Sequence, residues 1–237
     1  MSDEKLSMNE ALEHLTSEDV NTRKLAVNSL VGVTDDVAID PLIEATTDES
    51  SPVRFKAAEI LGTMGESAVD KLIERFNNEN GQNKRFITYA LKQTGDEKVI
   101  PCLAEAVEDD DAIVRKVAVR GLGELKANDN IDDISKGLDD EDWGVRLAAI
   151  RSFGDLSTEE SIKLIKKARR KEKDKDFKKA CNKSIQKAEE AVIPYQFNLL
   201  VENGLVDVDE KDLGSTPKKR VKAMKKIIKE NKDFFKN

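Results

Sequence analysis

A short residue pattern recurs along most of this chain, and it constrains the fold more than any other feature. One basic position can be followed through six copies, separated by 31, 31, 30, 31 and 32 residues: Arg23, Arg54, Arg85, Arg115, Arg146 and Lys178. Four residues earlier the copies carry Asp19, Ser50, Gly81, Asp111, Asp142 and Asp174. Self-similarity at a fixed period of this length is typical of repeat proteins.

The residues around the basic position predict an α-helix. A small residue follows three positions later in each copy, and a large apolar residue follows seven positions later in every copy except the third, which has Lys92. This spacing defines one face of a helix, with the small residue where two helices approach closely. The Asp four residues earlier is a suitable N-cap, and we expect each helix to begin at the basic residue. Another apolar run precedes each helix, so every copy is predicted to be a helical hairpin.

Two copies carry a recognisable motif. The segments 111–118 and 142–149 resemble the Asp-x-x-Val-Arg core of HEAT repeats, in the short variety named after phycobilisome lyases, and the resemblance covers residues 8–190. It implies an all-α, right-handed α-solenoid of about six hairpins, in which first helices line the convex side and second helices the concave side. It also implies that the Asp and Arg bond between neighbouring repeats as a ladder, which is a structural role.

The chain after the repeats is expected to form a helical extension. We therefore predict a solenoid over 1–190 and an extension over 191–237, with one helix near 195–201 and a last helix beginning at Thr216-Pro217. Nine Lys or Arg residues and two acidic residues follow Pro217, while an apolar stripe runs through Val221, Met224 and Ile227. The stripe either covers the last repeat or binds a partner protein or an anionic surface.

Composition excludes several classes of protein. No run of about twenty apolar residues occurs, and the first residues are acidic rather than a basic stretch before an apolar one, so we expect a cytoplasmic protein without a membrane span. Cys102 and Cys181 stand apart, without the companions that a disulfide framework or a zinc site needs. The acidic N-terminal segment is a candidate cover for the first repeat.

The sequence offers little for catalysis. His14 is the one histidine, which excludes histidine triads and multi-histidine metal sites within the chain. No phosphate-binding glycine loop or dinucleotide fingerprint is present. The acidic stretch 207–212 lacks the central Gly and distal Glu of a calcium loop. We therefore expect no enzyme, no metal and no cofactor.

A partner is expected to bind along the second helices. The positions one and five after each basic residue lie one helical turn apart and off the buried stripe. The candidates are Phe55 and Glu59, Phe86 and Ala90, Lys116 and Arg120, Leu147 and Arg151, and Lys179 and Lys183. The terminal helix adds a basic contact through Lys218, Lys219, Arg220 and Lys222. Aromatic anchors beside basic residues favour an acidic, partly apolar protein segment.

Two functions are compatible with these residues. The first is a protein-binding scaffold or an assembly or maturation factor that holds a partner protein in the concave groove. The alternative is a nucleic-acid-binding protein that uses the basic half of the groove and the tail. The formal net charge of −7 argues against nucleic acid, because an acidic body repels it at long range.

Overall fold

The structure is a computed structural model, and it describes residues 5–79, 81–208 and 210–236. Within these ranges every regular element is an α-helix or a short 3-10 turn. The chain divides into two compact units, 1–149 and 150–237. Most of the acidic N-terminal segment, and Asp209 of the predicted acidic stretch, lie outside the described residues.

The first unit is built from helical hairpins. Its first helices are α1 (Met8–His14), α3 (Ile39–Ala45), α5 (Glu66–Asn78), α7 (Ile100–Ala106) and α9 (Ile131–Lys136). Its second helices are α2 (Val20–Ser29), α4 (Ser51–Leu61), α6 (Gly81–Thr94) and α8 (Ala112–Glu124), and α10 (Trp143–Leu156) continues into the second unit. First and second helices pack in pairs, and α2, α4, α6 and α8 pack side by side in order. The prediction of an all-α repeat solenoid is confirmed, while its right-handed sense stays a prediction.

The predicted caps are present, but the helices begin earlier than expected. Asp19 accepts a hydrogen bond from the backbone N–H of Thr22 at 2.8 Å, and Asp174 accepts one from Phe177 at 2.7 Å. Asp111 and Asp142 cap their helices in the same way. The cap therefore precedes the helix, and five second helices begin three residues before the basic position rather than at it.

The expected ladder between repeats exists, with a different acid as the partner. Arg23 bonds Asp48 through Nε at 2.6 Å and Nη2 at 3.1 Å, and Arg115 bonds Asp140 in the same two-pronged way at 2.7 and 2.9 Å. Asp48 and Asp140 lie six residues before the next basic position. They also accept the backbone N–H of the capping residue. In these repeats the acid four residues before is the cap, and the acid six before bonds the arginine of the preceding repeat. Asp111 does both, because it caps α8 and also accepts a hydrogen bond from Arg85 Nε of the preceding repeat.

The third copy is displaced by one residue from the sequence alignment. Lys84 contacts Asp109 at 3.4 Å, and it stands 25 residues before this acid, the same separation as in the Arg23–Asp48 and Arg115–Asp140 pairs. Seven residues after Lys84 is Leu91, which is 0% exposed. The equivalent basic residue is therefore Lys84, not Arg85, and the apparent break at Lys92 disappears.

The second unit contains α11 (Glu159–Lys171), α12 (Lys175–Glu202) and α13 (Pro217–Glu230). The separate helix predicted near 195–201 is absent, because α12 continues through Pro194 to Glu202. The predicted domain boundary between residues 190 and 191 thus falls inside α12. α13 packs against the second half of α12 around Ile193, Phe197, Leu213 and Met224. The apolar stripe of α13 was expected either to cover the end of the repeats or to bind a partner or an anionic surface. In this structure it packs against α12.

Candidate protein-binding surface

The second helices of the first unit present some of the predicted residues and hide others. Phe55 is 47% exposed and Lys116 is exposed, while Glu59, Arg120 and Leu147 are partly covered. Ala90 is 0% exposed, so its prediction as a surface residue is wrong. The cause is the one-residue displacement of the third copy, which moves Ala90 onto the buried stripe.

Phe86 was also assigned to the wrong position by the one-residue error in the alignment of the third copy. Its ring is partly covered, with the guanidinium carbon of Arg54 5.0 Å from the ring centroid. Counted from Lys84, the surface positions of the third copy are Arg85 and Tyr89. The sequence contained a signal for this in the acid that follows the basic position by 25 residues. Asp48 follows Arg23, Glu79 follows Arg54 and Asp140 follows Arg115 at this distance, and Asp109 stands 25 residues after Lys84 but 24 after Arg85.

An aromatic pair forms where α4 and α6 lie side by side. The rings of Phe55 and Tyr89 are 5.1 Å apart between centroids and inclined at 33°. Tyr89 was not among the predicted site residues. Burial, and then the negative charge of Glu59, raise the pKa of the Tyr89 hydroxyl above its ordinary value, so the ring is neutral at physiological pH. We call Phe55 and Tyr89 the aromatic pair.

Ion pairs surround the aromatic pair. Lys56 Nζ lies 2.6 Å from Glu59 on one side. On the other side, Lys92 Nζ is 2.9 Å and Arg120 Nη2 is 2.8 Å from the carboxylate of Glu124. Lys92 Nζ also lies 5.9 Å from the Tyr89 ring centroid. The surface is therefore an apolar centre with a rim of paired charges, and Arg120 is less available to an acidic ligand than its charge alone indicates.

The predicted residues of the second unit form two exposed groups. Arg151 is exposed on α10, and Lys179 and Lys183 are exposed one turn apart on α12. Lys218, Lys219, Arg220 and Lys222 are all exposed in the first two turns of α13. Thr216 caps this helix by accepting the Lys219 N–H at 3.3 Å, and Arg220 Nε donates to the Gly214 carbonyl at 3.0 Å.

A groove opens in the second unit between α11, α12 and α13. Its volume is about 400 Å³. Its lining combines isoleucine, valine and phenylalanine side chains with lysine and glutamate side chains. We call this feature the C-terminal groove. It was not predicted, because α12 was expected to end before the residues that form one wall.

Comparison with known proteins identifies the repeat. A family model described as HEAT repeats matches residues 8–92 and 103–186, which together are well over half of the chain. The chain belongs to the HEAT-repeat family. Among curated proteins, none has a significantly similar sequence.

Solved structures resemble this HEAT-repeat protein in fold. The complex of CpcE and CpcF of phycocyanin lyase from Nostoc sp. PCC7120 has a TM-score of 0.59 at 20% identity, covering 63% of this chain and 99% of that chain. An engineered protein matches with a TM-score of 0.48 at 17% identity, covering 77% of this chain and 96% of that chain. A designed armadillo repeat protein has a TM-score of 0.44 at 16% identity, covering 77% of this chain and 100% of that chain.

The two cysteines and the histidine of this HEAT-repeat protein lie apart from one another in the sequence. Cys102 and Cys181 are buried, and burial raises the pKa of both thiols, that of Cys181 to about 11, so both remain protonated at neutral pH. His14 Nδ1 lies 2.6 Å from the Glu10 carbonyl within one helical turn. Among the described residues, no three His, Cys, Asp or Glu side chains come together as metal ligands. None of the described helices is both long and apolar enough to cross a bilayer.

Proposed function

We propose that this HEAT-repeat protein is a non-catalytic scaffold, or an assembly or maturation factor, that holds a segment of a partner protein on the aromatic pair. The observation that carries the proposal is the exposed Phe55 ring packed against the Tyr89 ring where two second helices lie side by side. Large rigid rings at the centre of a surface, with charged residues around them, are the composition of a binding hot spot.

The charges around the aromatic pair indicate the chemistry of the partner segment. Glu59 and Lys56 lie on one side, and Lys92, Arg120 and Glu124 lie on the other. Because the charges of both signs are already paired, apolar contact rather than net charge supplies most of the affinity. The partner segment therefore carries an apolar or aromatic side chain for the rings, with flanking polar groups. The sequence favoured an acidic, partly apolar segment; we propose that the apolar part is the essential one and that the segment need not be acidic.

The similar fold of the CpcE–CpcF complex supports a role in protein association. In that structure two chains of a phycocyanin lyase form a complex. We extend only the association of proteins to the present chain, because 20% identity establishes the fold and not the chemistry. The identity of the partner will decide between three roles: assembling the bound protein, presenting it to another factor for modification, or simply holding it.

The test removes the aromatic pair. Partners captured from the source cell by the unaltered chain are identified by mass spectrometry, and the leading one is purified for titration calorimetry. Phe55→Ala combined with Tyr89→Ala is expected to weaken binding by about thirtyfold or more, since hot-spot truncations cost about 2 kcal/mol or more.

The matched control is Val37→Ala. Val37 is 56% exposed and lies in the turn before α3, away from the aromatic pair in the sequence and in the hairpin. It removes exposed apolar surface without touching the rings, and binding should change by less than about twofold. If the double variant binds as tightly as the unaltered chain while its thermal unfolding is unchanged, the proposed surface is wrong.

Nucleic-acid binding is the second candidate, and the exposed lysines of α12 and α13 favour it. Lys179, Lys183 and the basic start of α13 are all open to solvent. Binding through phosphates would weaken steeply with salt, because neutralised phosphates release counterions. An electrophoretic shift assay on single- and double-stranded oligonucleotides at low salt tests this candidate, and absence of a shift there dismisses it.

A further inference from the structure

The C-terminal groove lies wholly within the second unit and is independent of the aromatic pair. One wall is α11, the second is the middle of α12, and the third is the last part of α13 with the turn at 232–236 that follows it. A groove of about 400 Å³ lies within the size range of ligand pockets in proteins. Because the groove is open to solvent, it can accommodate a segment of polypeptide.

The floor of the groove is apolar. Ile162 of α11 and Ile193 of α12 line it and are nearly fully buried. Ile228 of α13 and Phe235 also line it and are partly exposed, so they leave apolar surface open to a ligand. A ligand that covers them gains about 25 cal/mol for each Å² of apolar surface removed from water.

The charged residues that line the groove are mainly basic. Five lysines line it, Lys163, Lys166, Lys225, Lys229 and Lys232, against two glutamates, Glu159 and Glu189. The carboxylate of Glu189 is already shared between two of these lysines, with Lys166 Nζ at 3.4 Å and Lys225 Nζ closer. Glu159 accepts a hydrogen bond from the Gln196 amide across the groove. The lining therefore keeps an excess of positive charge.

The uncompensated charge is concentrated on one wall. Lys229 and Lys232 are exposed, and neither forms an ion pair with any residue in the described part of the chain. Lys225 and Lys229 lie one turn apart on α13, and Lys232 lies in the 3-10 turn that follows the end of α13 at Glu230. We call these three lysines the row.

We propose that the C-terminal groove binds an acidic amphipathic helix of a partner protein. The apolar face of that helix covers Ile228 and Phe235, and its carboxylates meet the row of Lys225, Lys229 and Lys232. The choice of occupant rests on charge complementarity with these lysines and on the partly exposed apolar surface beside them. α13 is in this view a wall of the site and not a detachable arm.

The test uses the full chain and a synthetic probe. The probe is a fluorescein-labelled peptide of about four helical turns with leucine on one face and glutamate on its flanks. Its binding is followed by fluorescence anisotropy at low salt, and it is compared with a peptide in which every glutamate is lysine and with one in which every leucine is serine. We expect only the parent peptide to bind, with an affinity that falls as salt is raised.

Each of the two protein variants reverses two exposed lysines within residues 217–236. Lys229→Glu with Lys232→Glu reverses two charges in the row, and Lys218→Glu with Lys222→Glu reverses two exposed charges of α13 that do not line the groove. The first pair is expected to weaken binding by at least about tenfold, and the second by less than about threefold. Thermal unfolding of both variants checks that α13 remains packed.

Several results would overturn the proposal. If the parent peptide does not bind the unaltered chain, the groove has no such ligand. If both double variants lose binding equally, or the serine peptide binds as well as the leucine peptide, the binding reflects general attraction to basic residues and not a site in the groove. If vesicles with phosphatidylserine bind the unaltered chain and the acidic peptide does not, α13 belongs to a membrane surface. Because neither Phe55 nor Tyr89 takes part, failure here leaves the proposed function standing.

Discussion

The third and fourth repeats hold the same rung of the ladder with different bases. Arg115 makes two bonds to Asp140 and donates through Nη1 to the carbonyls of Asp109 and Asp110 at 2.8 and 3.0 Å. Lys84 has a 3.4 Å contact to Asp109 and lies 4.3 Å from the Phe76 ring centroid. A guanidinium satisfies a carboxylate and two carbonyls at once, whereas an ammonium serves as a point charge. The acid and the buried apolar stripe therefore define the repeat. The basic residue can be lysine instead of arginine, at a cost in stability.

The largest expected effect tests the register of the third repeat. Leu91 is 0% exposed, so Leu91→Ala should lower the free energy of unfolding by about 3 kcal/mol through lost burial and a residual cavity. Lys92→Ala removes an ion pair to the exposed carboxylate of Glu124, from a lysine side chain that is 16% exposed, and should cost only about 1 kcal/mol. Urea unfolding of the two variants gives the comparison. A larger loss from Lys92→Ala would restore the alignment on Arg85.

The next effect compares the two bases directly. The Arg115 and Asp140 side chains are 12% and 10% exposed, and Arg115→Ala leaves the carboxylate with little water to replace its partner. We expect a loss of about 2 kcal/mol, below the 3–5 kcal/mol of a fully buried pair. Lys84→Ala is expected to cost about 1 kcal/mol, because its contacts are fewer and longer.

Lys116→Ala serves as the control for both substitutions. Lys116 is exposed on the same helix as Arg115 and takes no part in the ladder, so its loss should change stability by less than about 0.5 kcal/mol. If Lys84→Ala and Arg115→Ala destabilise the chain equally, the difference between the two rungs has no energetic meaning, and the geometry of the guanidinium is not what stabilises the fourth repeat.

The period and the hairpins could be predicted from the sequence, because they depend on the spacing of many residues at once. The register of the third repeat could not be read from one position, since Lys84 and Arg85 are adjacent bases and both fit a period near 31. Burial separates them: Leu91 is enclosed and Lys92 pairs with Glu124. An alignment based on one side chain is less reliable than an alignment based on the whole apolar stripe.

The end of the repeats was less predictable for a different reason. The apolar run over 195–201 indicated a separate helix, and Pro194 just before it also disfavours a continuous one, since proline removes a backbone hydrogen bond in a helix interior. α12 nevertheless continues through Pro194, with Ile193 and Phe197 buried against α13 on either side of it. Packing outweighs the local preference there. The C-terminal groove depends on this continuity, which is why no local motif indicated it.

The candidate surface was partly predictable as well. Phe55 follows Arg54 in a copy whose alignment was right, and it is exposed as expected. Tyr89 was missed because the misplaced register assigned the surface positions to Phe86 and Ala90. A one-residue error turns a helix by about 100°, which exchanges a surface position for a buried one.

The ladder also gives the chain a dependence on pH. The hydrogen bonds from Arg115 hold the pKa of the Asp140 carboxyl below its ordinary value of 3.8. Because the pKa in the folded chain is lower than in the unfolded chain, this stabilisation is complete at neutral pH and is lost as pH falls from about 5 through the lowered value. Unfolding followed between neutral and acid pH should show that Asp140→Asn differs most from the unaltered chain at neutral pH. A constant difference at every pH would contradict the assignment.

The smallest expected effect is a gain, and it brings the third repeat closer to its neighbours. Asp109 stands where Asp48 and Asp140 receive two bonds from an arginine. The repeat arginines also donate to carbonyls five and six residues earlier, as Arg54 does to Glu49 and Asp48. Lys84→Arg supplies the same fork, and we expect it to stabilise the chain by about 0.5 kcal/mol, limited by repulsion from Arg85 and by repacking over Phe76.

Lys116→Arg is the control for that gain, because it adds a guanidinium at an exposed position outside the ladder and should leave the unfolding midpoint unchanged. If Lys84→Arg stabilises the chain and Lys116→Arg does not, the lysine of the third repeat is a weaker member of the same ladder. Destabilisation by Lys84→Arg would instead mean that the one-residue displacement leaves no room for a guanidinium, so that the lysine is required by the shape of the repeat. Either result states whether the third repeat differs from the fourth in its side chain alone or in its backbone.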